Sequence, residues 1–166
     1  MLCHSHLMKR LSRILSFVLF LSLIAGSAEA CYTAREREAE QGLRIHSELM
    51  VISLTCNKVP GDEDLYHKYE HFTRKNEDLL SSYETTLLNY YDAEGVKSPE
   101  KKLHTLRTDM ANNISDIAIS MSTRTFCGRY ASHLDQALDM NHERLRHWAQ
   151  HVSPSQPMSE RMCSRD

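Results

Sequence analysis

The sequence predicts an all-α fold, an up-down four-helix bundle stapled by two disulfides, and three observations predict it. Apolar residues recur at three- and four-residue intervals through long segments with no strand-like alternation. Short turn-forming stretches, NKVPG at 57–61 and EGVKSP at 94–99, separate those segments. Four cysteines, Cys31, Cys56, Cys127 and Cys163, lie far apart along the part of the chain that follows residue 30.

The first thirty residues read as a secretory signal peptide. Lys9, Arg10 and Arg13 precede the uncharged run ILSFVLFLSLIA, and Ala28-Glu29-Ala30 supplies the small-residue cleavage pattern. The apolar run is too short to span a bilayer as a helix. Cleavage after Ala30 leaves Cys31 first, which raises lipidation of that cysteine as an alternative, although Glu29 fits a lipoprotein junction poorly. The expected organisation is a signal peptide over 1–30, a helical domain over 31–152, and an irregular tail over 153–166 tied by Cys163. No transmembrane segment remains after processing, and the expected location is periplasmic or secreted.

The first helix is expected over about 34–56. It opens with AREREAEQGLRIHSE, rich in helix formers, and ends in LMVISL, whose apolar faces all round call for deep burial. Pro60 and Gly61 end it. The second is expected over about 62–93, with a stripe of Leu65, Tyr69, Phe72, Leu79, Tyr83, Leu87 and Tyr90 and with Asn76 completing the spacing. Asp62, Glu63 and Asp64 suit its positive N-terminal end, and Gly95 suits the left-handed closing position. The third starts near 98 with SPE, a serine cap followed by proline in the first turn, and carries Leu103, Leu106, Met110, Ile114, Ile117 and Met121. The fourth, about 124–150, carries Phe126, Tyr130, Leu134, Ala137, Leu145 and Trp148, with Gly128 as a candidate kink. The tail HVSPSQPMSERMCSRD is too rich in Ser and Pro to be regular.

The bundle sorts the cysteines. Cys31 and Cys56 bracket one helix and would stand roughly 30 Å apart if it is whole, whereas a disulfide needs α-carbons within about 7 Å. With the helices running up, down, up and down, Cys56 and Cys127 share one end, and Cys31 and Cys163 the other. Those two pairings are the expected map. An even number of cysteines in an exported chain favours disulfides, and their separations of 25, 71 and 36 residues exclude the close pairs of zinc knuckles, haem attachment or redox centres.

Charge excludes another class. The chain holds twenty Lys and Arg, of which three lie in the first thirty residues, and twenty-two Asp and Glu, of which one does. The remainder carries seventeen positive and twenty-one negative charges, a net of minus four with no basic block, so a nucleic-acid partner is not expected.

Chemically suggestive residues fail on spacing. His67 and His71 lie one turn apart beside Glu70, the candidate metal pair of this sequence, but helical phase turns them away from the Leu65/Tyr69/Phe72 stripe. In HERLRH, residues 142–147, the histidines are five apart and diverge by about 140°, where a zincin needs four. No Glu-x-x-His pair of a two-iron bundle occurs, nor a G-x-S-x-G, a phosphate loop or a dinucleotide fingerprint. Hence no catalytic residue, no metal ligand and no cofactor is assigned. Tyr66 and Tyr91, out of phase with their stripe, are candidates for a partner surface, and NIS at 113–115 matches a glycosylation acceptor.

The stretches CYTAREREAEQGLRIHSELMVISLTC, Cys31 to Cys56, and RTFCGRYASHLDQAL, Arg124 to Leu138, resemble small exported proteins of alphaproteobacteria. The resemblance implies a bacterial periplasmic setting and a Cys56–Cys127 pair, and brings no catalytic residues. Two functional classes follow. One is a non-enzymatic binding, structural or accessory protein of the cell envelope with a protein partner there. The other is a small-ligand or metal binder, or an enzyme, with a site between helices, for which Asp135, Asp139, His133 and Asn141 flanking the fourth stripe are the group to inspect.

Overall fold

The computed structural model describes residues 30–62, 64–151 and 157–164. The expected leader, except Ala30, lies outside the described residues, as do Glu63 and residues 152–156 of the tail. Cys31–Asp166 forms one compact unit. Its described residues are helical apart from the connections between helices and the non-helical segments 30–33 and 157–164, which meet in an isolated parallel bridge between Tyr32 and Met162.

The all-α class and the two disulfides hold, but the four-rod bundle does not: the described residues form seven helical segments. These are α1 (Ala34–Cys56), α2 (Leu65–Lys75), α3 (Glu77–Ala93), α4 (Pro99–Ile119), α5 (Thr123–Tyr130), α6 (Ser132–Leu138) and α7 (His142–His151).

Helix α1 is the axis of the fold. Thr33 starts it with a capping box: its hydroxyl accepts from the Arg35 N–H at 3.3 Å, while its own N–H donates to the Glu36 carboxylate at 2.8 Å. Every residue from Ala39 to Ser47 is buried. Nine consecutive buried residues cover about two and a half turns, so no face of that stretch meets solvent, and the other helices must surround it. The sequence places the deep burial at LMVISL; the structure buries Leu49, Val51, Ile52 and Ser53 of that stretch but leaves Leu54 57 % exposed and Met50 half-buried, and the unbroken burial lies instead in the polar stretch AEQGLRIHS.

The expected second helix is broken at Asn76. This side chain is wholly buried, and its amide donates to the Phe72 carbonyl at 3.0 Å and to the Met140 carbonyl at 3.4 Å. An asparagine that bonds backbone carbonyls competes with the helical ladder, which is why α2 stops here and α3 restarts with Leu80 N–H donating to the Asn76 carbonyl at 2.9 Å. The rest of the stripe is placed as its spacing requires, with Leu65, Phe72, Leu79, Tyr83, Leu87 and Tyr90 buried and Tyr69 half-buried. Each fully buried side chain such as Phe72 or Leu87 contributes about 1.5–3 kcal/mol through the hydrophobic effect. Gly95, with φ +72°, takes the left-handed position after α3.

Helix α4 begins with Pro99 in its first turn, and Leu103, Leu106, Met110 and Ile114 are its buried face. Ser98 occupies the cap position, but its side chain makes no capping bond there. The expected fourth helix is three pieces. Ser122 caps α5 by accepting from the Thr125 N–H at 3.2 Å, Gly128 lies inside α5 without breaking it, and the first interruption falls at Ala131. The second ends at Asn141, whose side chain accepts from the Arg144 N–H at 3.0 Å and starts α7. Jointed in this way, the C-terminal third bends around α1 and still buries Phe126, Leu134, Ala137 and Leu145.

Contacts across the fold record the chain reversals that bring the cysteines together. Tyr83 meets Glu38, Arg107 meets Glu84, Lys68 meets Asp135, and Gln150 returns to Glu38. Cys56 bonds Cys127, with α-carbons 5.5 Å apart, and Cys31 bonds Cys163, with α-carbons 4.9 Å apart.

Candidate functional site

The polar residues of α1 are the chemically distinctive feature of the interior, and they fall into two groups. The first surrounds Glu40, which is wholly buried. Its carboxylate accepts from the Arg44 guanidinium at 2.8 Å, from the Ser159 N–H at 3.0 Å and from the Ser159 hydroxyl. The Ser159 hydroxyl also meets the Tyr32 hydroxyl at 2.9 Å, and Tyr32 lies 3.5 Å from the Tyr91 hydroxyl. A buried carboxylate supplied with a guanidinium, an amide and a hydroxyl is satisfied by hydrogen bonds, which is what permits its burial. Burial pushes the Tyr32 phenol well above its usual pKa and raises that of Tyr91, so both hydroxyls stay protonated.

The second group surrounds His46. Its Nε2 shares hydrogen bonds with the Tyr69 hydroxyl at 3.0 Å and the Thr73 hydroxyl at 3.2 Å, and its ring stacks on Tyr69 with centroids 5.4 Å apart. Burial, and secondarily the Arg107 charge, lower its pKa to about 4, so the imidazole is neutral at ordinary pH. His46, Ser47 and Met50 of α1 and His104, Arg107 and Asn112 of α4 line a cleft of about 300 Å³. Arg107 is ion-paired to Glu84. The hydroxyls of this cleft are engaged with their own helices: Ser47 donates to the Leu43 carbonyl and Thr108 to the His104 carbonyl, each at 2.9 Å. Neither is paired to a base; the hydroxyls that meet the His46 imidazole are those of Tyr69 and Thr73.

The residues singled out from the sequence are dispersed. His67 and His71 are both exposed on α2, and His67 meets Glu70 at 3.4 Å. Among the described residues no three His, Cys, Asp or Glu side chains gather in a way that could hold a metal ion. Asp135 is exposed and accepts from Lys68 at 2.7 Å, Asp139 is exposed, Asn141 caps α7, and His133 packs edge-on against Tyr130 at 5.6 Å; the four do not converge. His142 and His147 are exposed, and His147 instead stacks on His151 with centroids 4.1 Å apart. Tyr66 is 39 % exposed, as its phase suggests, but Tyr91 is buried because the N-terminal segment covers that face of α3 through Tyr32. Asn113 lies half-buried inside α4. All four cysteines, Cys31, Cys56, Cys127 and Cys163, are consumed in disulfides, which leaves none of them as a thiol.

Sequence reasoning missed Glu40, Arg44 and His46. Their cover comes from Ser159, Tyr69 and Thr73, remote in the chain, so no local signal marked them.

Fold and site together define an all-α protein with two long-range disulfides and a polar-cored central helix. No protein-family model matches the chain, and no curated protein and no solved structure matches it. Among the described residues no helix is long and apolar enough to cross a membrane.

Proposed function

We propose that the protein is an exported, non-enzymatic helical protein of the bacterial cell envelope that acts by binding, in a structural or accessory role, with a protein partner there. The single observation that carries the reading is the pair of disulfides, Cys31–Cys163 and Cys56–Cys127, since such bonds persist in oxidising compartments. The basic start, the apolar run and Ala28-Glu29-Ala30 support export, and the resemblance of 31–56 and 124–138 to exported alphaproteobacterial proteins supports the envelope. Lipidation at Cys31 competes with the Cys31–Cys163 bond, because a thioether-linked sulfur has no valence left for a disulfide. The polar interior supports a non-enzymatic role, since Glu40, Ser47 and Thr108 are held by internal bonds.

The test is to express the full chain in a bacterium, trap thiols by alkylation during fractionation, and weigh the product. The reading expects a periplasmic or secreted species beginning at Cys31 with no alkylated cysteine. A cytoplasmic species that retains residues 1–30 and carries free thiols refutes it.

A second reading, small-ligand binding between helices, rests on the cleft at His46, where a neutral imidazole and two hydroxyls stand beside a cation. Native mass spectrometry of the purified protein separates the two, since a retained small molecule lost on His46→Ala substitution supports this one.

A further inference from the structure

The two disulfides sit in opposite settings. Cys56 and Cys127 are 0 % and 2 % exposed within the helical core, whereas Cys31 and Cys163 are both half-buried. Thiol–disulfide exchange requires in-line access of a thiolate to sulfur, so the terminal bridge is the accessible one. To expose the inner bridge, α1 and α5 must part; to expose the outer one fully, only the tail must lift.

The tail is held as a bound peptide would be. Tyr32 N–H donates to the Arg161 carbonyl at 2.8 Å, and Cys163 N–H donates to the Tyr32 carbonyl at 3.0 Å. Ser159 places its N–H and its hydroxyl on the Glu40 carboxylate, and Met158 rests half-buried against the core. Met162 is exposed, so little apolar area holds this end of the chain down. The net contribution of a hydrogen bond to stability is about the same as the entropy of ordering one residue, so polar contacts of this kind hold eight residues, 157–164, only weakly without a covalent tether. The seat under the tail is itself polar. Once Ser159 leaves, Glu40 keeps Arg44 and gains water, and the apolar contact given up by the tail is that of Met158.

We propose that Cys31–Cys163 is a redox-operated clasp: its reduction releases residues 157–164 and uncovers the Glu40 carboxylate and the Tyr32 and Tyr91 hydroxyls, while Cys56–Cys127 stays oxidised and the helices stay folded. The co-reactant is a dithiol. One of its thiolates attacks a sulfur of the pair, breaking the Cys31–Cys163 bond, forming a mixed disulfide and expelling the other cysteine as a thiolate, which takes up a proton. The second thiol of the reductant then attacks the mixed disulfide, freeing the remaining cysteine. Two electrons pass from the dithiol to the protein, the products being two cysteine thiols and the cyclised disulfide of the reductant.

The experiment is a graded titration of the folded, oxidised protein with dithiothreitol. Free thiols are trapped by alkylation and mapped at each step, and amide hydrogen exchange is measured in parallel. Cys31 and Cys163 are expected to be labelled at a reductant concentration at least about tenfold below that for Cys56 and Cys127. At that point exchange at the Ser159, Cys163 and Tyr32 amides is expected to rise by at least about tenfold, while the amides of Ile45 to Ile52 keep their protection. A Cys31→Ser/Cys163→Ser variant should show the same exchange pattern without reductant. Simultaneous reduction of both bridges, or earlier reduction of the inner one, overturns the proposal. So does a variant whose tail amides stay protected, and so does one that loses its helical circular dichroism, because the terminal bridge would then hold the whole fold rather than a clasp.

Discussion

The ring of Tyr83 lies on the backbone of α1 at Gly42, so close that a Cβ at residue 42 would stand 2.2 Å from Tyr83 Cε2. Glycine in mid-helix is normally unfavourable by roughly 0.5–1 kcal/mol relative to alanine. Here its missing side chain is the space that α3 occupies, and the Tyr83 hydroxyl, donating to Glu38 at 2.9 Å, fixes the ring in place. Gly42→Ala is therefore expected to destabilise the protein by about 1–3 kcal/mol despite the better helix propensity. Urea denaturation checks this, and the penalty should shrink or reverse in a Tyr83→Ala background. Equal penalties in the two backgrounds would contradict the contact.

Removing Arg44 should be costly for a different reason. It is the cation on a wholly buried Glu40. Truncating one partner of a buried pair leaves an uncompensated charge, so Arg44→Ala is expected to cost about 3–5 kcal/mol. Replacing both residues with apolar ones of similar volume, Glu40→Leu with Arg44→Met, should cost less than the sum of the single changes. A double-mutant cycle in chemical denaturation measures that coupling, and additive effects would mean that the two side chains do not act as a pair.

The stability of the protein should depend on pH through His46. Its folded pKa is lowered from 6.5 to about 4, chiefly by burial. A depressed histidine pKa means that the unfolded chain binds the proton more readily, so stability is fully present above about pH 6.5, falls as pH drops towards 4, and levels off below. The contribution at neutral pH is on the order of 3 kcal/mol. His46→Gln is expected to flatten the slope between pH 6.5 and 5, a window above most carboxylate titrations. An unchanged slope in that variant would place the titration elsewhere.

The sequence's legibility followed the periodicity of each segment. The α4 stripe of Leu103, Leu106, Met110 and Ile114 and the α2–α3 stripe ending at Tyr90 are buried as spacing alone indicates, and Gly95 and Pro99 mark the turn between them. The breaks were hidden because Asn76 fits the stripe by phase, and only its bonds to the Phe72 and Met140 carbonyls reveal that it interrupts the ladder. Glu40, Arg44 and His46 were hidden because a run of polar helix formers reads as a solvated face. What buries them is the convergence of helices and tail from distant parts of the chain, which no local pattern encodes. Tyr91 was misread for the same reason, since its cover comes from Tyr32, 59 residues away.

The two bridges should differ in what their loss does to the fold. Cys56→Ala removes the link between α1 and α5 inside the core and is expected to cost a few kcal/mol. Cys163→Ala should cost less, because the tail adds little buried apolar area. Thermal denaturation of the two variants ranks them, and a larger loss for Cys163→Ala would contradict this account of the tail.

Chain reversals place Cys56 beside Cys127 and Cys31 beside Cys163 around a central α1. Proteolysis of the oxidised protein without reductant, followed by mass spectrometry of the linked peptides, tests that directly. The predicted result is one peptide pair joining Cys31 to Cys163 and another joining Cys56 to Cys127. A Cys31–Cys56 peptide would mean that α1 is not a continuous helix, and a Cys56–Cys163 peptide would mean that the helices do not succeed one another in these directions; either would contradict the fold.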